Sequence, residues 1–142
     1  MENAGAYIIS KTERDVITAK ISDVLNADDR VIFSYLYGSF ITGNFFNDID
    51  IFIFIRAHEN PYTCSVSIKE KLFSYVTEAG FNIVIDDFDV RVINDAPYDF
   101  VIDLLCDGML IVDKDPDIRT DYVEHISDEY RVNYFILDEA YS

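Results

Sequence analysis

Between Ser10 and Asp29 the apolar residues Val16, Ile17, Ile21, Val24 and Leu25 recur at spacings of three and four. That period puts them on one helical face and predicts an amphipathic helix, with Ser10 or Thr12 as its N-cap. The pattern then changes. "RVIFSYLYG" (30–38) is a run of β-branched and aromatic residues ended by glycine, and "DIDIFIFIR" (48–56) is apolar at both parities. The first reads as a strand and the second as an interior strand covered on both faces, so the two are expected to be sheet neighbours. "NPYTCSVSIKEKLFSYVTEAG" (60–80) runs from a proline in its first turn to a terminal glycine, the punctuation of a helix. "FNIVIDDFDVRVIND" (81–95) predicts one long strand, alternating beyond Asp86-Asp87 as Asp89, Arg91, Ile93 against Val90, Val92, Asn94. A short helix closed by Gly108, the strand "MLIV" and a last helix from about Pro116 to Tyr141 follow, the last carrying Ile118, Tyr122, Ile126, Tyr130 and Phe135. Strands and helices interleave without repeat, linker or low-complexity segment. The expected class is α/β (or α+β), a sheet with helical cover.

Length and charge narrow the functions open to such a fold. At 142 residues the chain fits one domain, spanning 1–142, and can bury about 68–70% of its unfolded surface. Its 27 acidic residues against 11 basic ones leave a net charge of −16. A surface so charged repels a nucleic-acid backbone, which argues against direct DNA or RNA binding and in favour of cations or a basic partner. Half the residues are hydrophobic, so an ordinary core is expected despite the acidity. Cys64 and Cys106 both fall in apolar helical stretches and read as small buried core thiols. The longest apolar run, Ile49 to Ile55 around Asp50, is too short to cross a bilayer, and no secretory leader pattern is present, so a cytoplasmic location without membrane contact is expected. His58 and His125 lack companion ligands at useful spacing and stay outside the chemistry. Tyr122, Tyr130, Tyr134 and Tyr141 form a packing stripe on the last helix, with a partner interface as the second reading.

The chemistry concentrates where the second strand begins. In a strand, residues i and i+2 point to the same face, so Asp48 and Asp50 present their carboxylates side by side at one sheet end. Two such charges repel, and a divalent cation with a taste for hard oxygen, Mg²⁺ above all, is their natural compensating partner. Ahead of them, Gly38-Ser39 ends a strand and enters a turn, where glycine permits close backbone approach to a ligand and free N–H groups can receive phosphate. Gly43 then lets the chain return towards Asp48. A turn glycine and a solvated strand end explain each feature separately, but not their order.

Those residues carry a resemblance. "GSFITGNFFNDIDIFI" (38–53) resembles the glycine-serine and paired-aspartate signature of the DNA polymerase β-like nucleotidyltransferases, in particular the minimal nucleotidyltransferases found as antitoxins beside HEPN-domain toxins. "FDVRVINDAPYDFVIDLLCDGMLIVDKDP" (88–116) is similar to their later strand, A-P turn, helix and strand. The resemblance implies a polymerase β-like palm fold with a small mixed sheet, and two-metal nucleotidyl transfer. Asp48 and Asp50 would be ligands of two Mg²⁺ ions, Asp89 the third carboxylate near the acceptor, and Gly38 and Ser39 the holders of the terminal phosphates of ATP. Asp86 and Asp87 stay open as alternatives to Asp89, because a slip of one residue turns a strand side chain to the opposite face; the spacing to "VRVINDAP" favours Asp89. The chain departs from the commoner pattern at Thr42 and Asn47, where many relatives carry Arg and Ser. Arg91 could supply the missing cation or simply pair with a carboxylate. Two functions follow from the resemblance: transfer of AMP from ATP to a tyrosine hydroxyl of a cognate HEPN ribonuclease, or neutralisation of that toxin by binding alone. Transfer to a small molecule ranks third, since no extra domain is evident to form a pocket.

Overall fold

Ser10, not Thr12, begins the first helix. Its hydroxyl accepts the Glu13 amide at 3.1 Å while the Glu13 carboxylate accepts the Ser10 N–H at 2.9 Å, a reciprocal capping box. The computed structural model describes the backbone of residues 6–141 and the side chains of residues 6–133. In chain order the elements are β1 (Tyr7–Ile8), α1 (Lys11–Ala27), β2 (Val31–Tyr37), α2 (Ser39–Thr42), β3 (Phe45–Phe46), β4 (Ile49–Ile55), α3 (Pro61–Glu78), β5 (Phe88–Val92), α4 (Tyr98–Asp107), β6 (Met109–Asp113) and α5 (Pro116–Tyr141).

Four strands form one sheet in the order β5-β4-β2-β6. β2 runs antiparallel to both of its neighbours, and β4 pairs with β5 in parallel, so the sheet is mixed. The double parity of β4 has the expected cause. Ile49, Ile51, Ile53 and Ile55 pack with Ile17, Ile21 and Leu25 of α1 and with Cys64, Ile68, Leu72 and Val76 of α3. On the opposite face Phe52 joins Phe33 and Tyr35, covered by Val101 and Leu104 of α4 and by Tyr122 and Ile126 of α5. Each such side chain withdrawn from water contributes about 1.5–3 kcal/mol, and helices cover one face of the interior strand fully and the other in part.

Four expectations change. The long strand predicted over 81–95 shrinks to β5, because residues Ile85–Asp87 form a single 3-10 turn that takes Asp86 and Asp87 out of the sheet. Cys64 is buried as expected, but Cys106 is exposed. α4 buries Val101 and Leu104, and Cys106 lies two residues further on, about 200° around the helix from Leu104. The tyrosine stripe on α5 is buried only in part. Tyr122 donates its hydroxyl to the Ile93 carbonyl at 2.7 Å, whereas Tyr130 stays partly exposed with its ring centroid 6.4 Å from that of Tyr98; the side chains of Tyr134, Phe135 and Tyr141 lie outside the described residues. Lastly, a two-stranded antiparallel ribbon of β1 and β3, with Tyr7 opposite Phe46 and Ile8 opposite Phe45, has no counterpart in the sequence reading. Strands of two residues carry too few alternations to register as a period. Among the described residues, no helix is long and apolar enough to cross a membrane.

Candidate active site

The site forms where β2 ends and β4 begins. Gly38 closes β2 with φ +94°, a left-handed conformation that side-chain-bearing residues rarely adopt. A Cβ placed there would stand 3.0 Å from Asp50 Oδ2, so the backbone favours glycine and any side chain would crowd the Asp50 carboxylate. The chain then makes the single turn of α2, held by the Gly43 N–H donating to the Ser39 carbonyl at 2.9 Å and by the Thr42 hydroxyl donating to the Gly38 carbonyl at 3.4 Å. Arg14 of α1 reaches across and donates from Nη2 to the Gly43 carbonyl. This guanidinium fastens the connection that carries the chain from Gly38 to Asp48. No local pattern announced Arg14, which acts on a carbonyl 29 residues away.

Parallel pairing assembles the carboxylates. In the β4–β5 ladder Asp50 lies beside Asp89, and in the β2–β4 ladder it lies opposite Tyr37. One carboxylate oxygen from each of Asp48, Asp50 and Asp89 falls within 4.8 Å of the others. The two alternatives for the third carboxylate are occupied elsewhere: Asp87 accepts the Tyr7 hydroxyl at 2.5 Å, and Asp86 stands 3.7 Å from Lys69. His58, in a left-handed turn beyond the far end of β4, and His125, 2.7 Å from Glu129 on α5, do not belong to the group.

Electrostatics marks Asp50 as the strained member. Burial, followed by the charges of Asp48 and then Asp89, pushes its carboxyl up to about 6, while Arg91 acts in the other direction. Arg91 does what its place on the Asp89 face allows. It grips Asp89 with Nε at 3.2 Å from Oδ1 and Nη2 at 2.9 Å from Oδ2, a pairing within one strand. The hydrogen bond to Asp89, reinforced by its charge, holds Arg91 more firmly protonated than usual. Three carboxylates gathered at one sheet end, one of them resisting ionisation, form a hard-oxygen donor set without sulfur or imidazole. That set fits Mg²⁺ and does not fit a thiolate- or imidazole-seeking metal.

Residues 19–117 match the family model "Polymerase beta, Nucleotidyltransferase", a stretch that contains Gly38, Ser39 and all three carboxylates. No curated protein matches the sequence. Among solved structures, the fold is similar to that of a chain in the complex of tri-AMPylated Shewanella oneidensis HEPN toxin with MNT antitoxin, at 19% identity and TM-score 0.60 over 91% of this chain and 99% of that one. It is similar to a chain of the toxin–antitoxin MntA–HepT at 18% identity and TM-score 0.58, over 90% and 99% of the two chains. A toxin–antitoxin solved with AMP-PNP gives 20% identity and TM-score 0.61, over 88% of this chain and 98% of that one.

Proposed function

The chain belongs to the polymerase beta nucleotidyltransferase family, and from that premise we propose that it is a Mg²⁺-dependent antitoxin that transfers AMP from ATP to a tyrosine hydroxyl of a HEPN-type ribonuclease. The observation that carries the reading is the convergence of Asp48, Asp50 and Asp89 within 4.8 Å. The modified HEPN toxin and the AMP-PNP complex among its structural relatives support the choice of acceptor and donor.

Asp48, Asp50 and Asp89 would hold the metal. When bound, two Mg²⁺ ions supply charge neutralisation for the triphosphate, activation of the attacking hydroxyl and stabilisation of departing pyrophosphate. The chain's own residues set the geometry around that chemistry. Gly38 gives backbone access for the terminal phosphates, Ser39 adds its hydroxyl and amide, and the Arg14 bond to Gly43 keeps the turn in place. Asp89, on the strand beside Asp50, orients the acceptor. The tyrosine hydroxyl would release its proton to solvent as its oxygen bonds to the α-phosphorus, the bond from that phosphorus to the oxygen bridging to the β-phosphate would break, and pyrophosphate would leave.

A second reading, neutralisation by binding alone, draws on Thr42 and Asn47 and on the hold of Arg91 over Asp89. One experiment separates the two. The protein and its Asp48→Asn/Asp50→Asn variant are incubated with Mg²⁺, ATP and a candidate HEPN-domain ribonuclease, and intact mass reports AMP addition while an RNA-cleavage assay reports inhibition. The transferase reading expects transfer by the wild type and a loss on the order of a thousandfold or more in the variant, the several kcal/mol of a missing charge clamp. Equal inhibition by both proteins with no added mass would leave the binding reading standing instead.

A further inference from the structure

The β1–β3 ribbon is apolar on both faces. One of its faces packs on the core, with the Tyr7 and Phe46 rings stacked at 5.1 Å and Phe46 set edge-on against Phe40 at 5.0 Å. A ribbon with one face on the core ordinarily carries polar residues on the other. Here the outward pair is Ile8, 84% exposed, directly opposite Phe45, 62% exposed. Single exposed apolar side chains need no explanation, but directly opposed residues stand with Cβ atoms about 5 Å apart and make one continuous apolar ridge. A groove of about 250 Å³ runs beside Ile8, with Glu13, Phe81 and Asn82 in its walls.

The position of the ridge says what it is for. Phe45 lies three residues before Asp48, at most about 10 Å of extended chain from the carboxylate group. Tyr7, next to Ile8, is tied through its hydroxyl to Asp87 and to the Val84 amide, at the turn that leads into the Asp89 strand. The ridge is therefore fastened at both ends to segments that carry the carboxylates.

We propose that Ile8 and Phe45 form the docking ridge for the protein acceptor of the transfer reaction, receiving an apolar side chain that is flanked on the acceptor by lysine or arginine. This rests on the transferase reading above and adds the surface by which the acceptor is recognised. Charge selects the occupant. Two copies of a chain with net charge −16 repel each other, and so does a nucleic-acid strand, while Glu13 in the groove beside Ile8 and Asp87 bonded to the neighbouring Tyr7 favour a basic rim on a partner protein.

The test compares the wild type with Ile8→Thr/Phe45→Thr, in which β-branched replacements keep the strand preference and remove the apolar ridge. Tyr62→Ser serves as a control, because Tyr62 is 77% exposed at the start of α3, at the opposite end of the sheet. The probes are a candidate HEPN-domain ribonuclease, N-acetyl-tyrosinamide as a small acceptor, and MgATP. The double variant is expected to bind the HEPN protein at least about tenfold more weakly and to raise its KM to match. MgATP affinity, transfer to the small acceptor and the melting temperature should stay at wild-type values, and Tyr62→Ser should change nothing. Unchanged affinity for the HEPN protein would overturn the proposal. So would a shift in the sedimentation of the chain alone without a change in that affinity, which would assign the ridge to a second copy. If the wild type transfers no AMP to either acceptor, the transferase reading fails, and direct binding of the HEPN protein to the two forms still decides the docking surface.

Discussion

A Cβ added at Gly38 would meet the Asp50 carboxylate at 3.0 Å, and each of the two residues makes a test at the scale of one side chain. At φ +94°, a β-branched residue meets both a disfavoured backbone and the Asp50 carboxylate, so Gly38→Val should lose stability by about 1–3 kcal/mol and weaken MgATP binding further. Calorimetric titration alongside a thermal melt measures both, and full ATP affinity in Gly38→Val would show that the turn does not cradle phosphate. Asp50 gives a pH signature without any ligand. Its folded-state carboxyl titrates near 6 against an ordinary 3.8, so the stability it contributes is complete below 3.8 and is lost as pH rises through 6. Asp50→Asn escapes that loss. In the absence of divalent ions the variant should melt higher than the wild type at pH 7.5, by a margin on the order of 1 kcal/mol once solvent screening of a half-buried group is allowed for, and the margin should close by pH 4. An equal margin at both pH values would mean that charge repulsion is not its cause.

Between elements, the junction from α1 to β2 depends on Asp28. Its carboxylate is nearly buried and is gripped by Arg30 at 2.9 and 2.7 Å, with Lys71 at 3.8 Å, while its carbonyl accepts Lys114 Nζ at 2.7 Å. Arg30 also donates to Ser67 Oγ at 3.2 Å, which ties α3 to the same point. The Arg30 hydrogen bond outweighs burial and holds the Asp28 carboxyl down at about 2. The sign is opposite to that of Asp50: this contribution is present above 3.8 and is lost as pH falls through about 2. Asp28→Asn should therefore lower the melting temperature at pH 7, through a loss of about 1–3 kcal/mol for a partnered charge left with a neutral amide, and the gap should narrow steadily between pH 4 and pH 2. A gap independent of pH would point to packing rather than to the ion pair. The junction lies at the opposite end of β2 from Gly38, so ATP affinity should not follow the change.

For the whole molecule, a net charge of −16 decides what can approach. A triphosphate meets Asp48, Asp50 and Asp89 at the site and a like-charged surface around it, so the proposed donor needs divalent cations simply to bind. Titrating ATP in Mg²⁺ and in EDTA should show affinity falling by at least about tenfold without metal, a difference of about 1.4 kcal/mol or more. Equal affinity in both would remove the metal-bridged site from the mechanism. The fold divides the labour: α1 and α3 bury one sheet face, α4 and α5 bury part of the other, and the carboxylates collect at the strand ends beside the Gly38 turn.

Local periodicity alone was enough for much of this. Ser10 and the Ile17, Ile21, Leu25 face, the double-sided β4 and the glycine stop at Gly38 follow from spacings of two to four residues, which the backbone geometry of helix and strand translates directly into direction, and the nearness of the Asp48 and Asp50 carboxylates was legible too, although Asp48 stands one residue ahead of β4. Tertiary structure decided whatever depended on a distant partner. Asp89 rather than Asp86 or Asp87 joins the carboxylates because the parallel register with β4 and the Ile85–Asp87 turn place it beside Asp50, and a strand's own sequence does not encode which residue it will face. Cys106 turned outward because α4 had only one side to bury, and Arg14 found Gly43 because the fold brings the start of α1 within reach of the turn. The Ile8–Phe45 ridge exists only because two segments of two residues, each too short to show a period, meet and pair. Direction is a property of neighbours in the chain, whereas partnership is settled only when the elements pack.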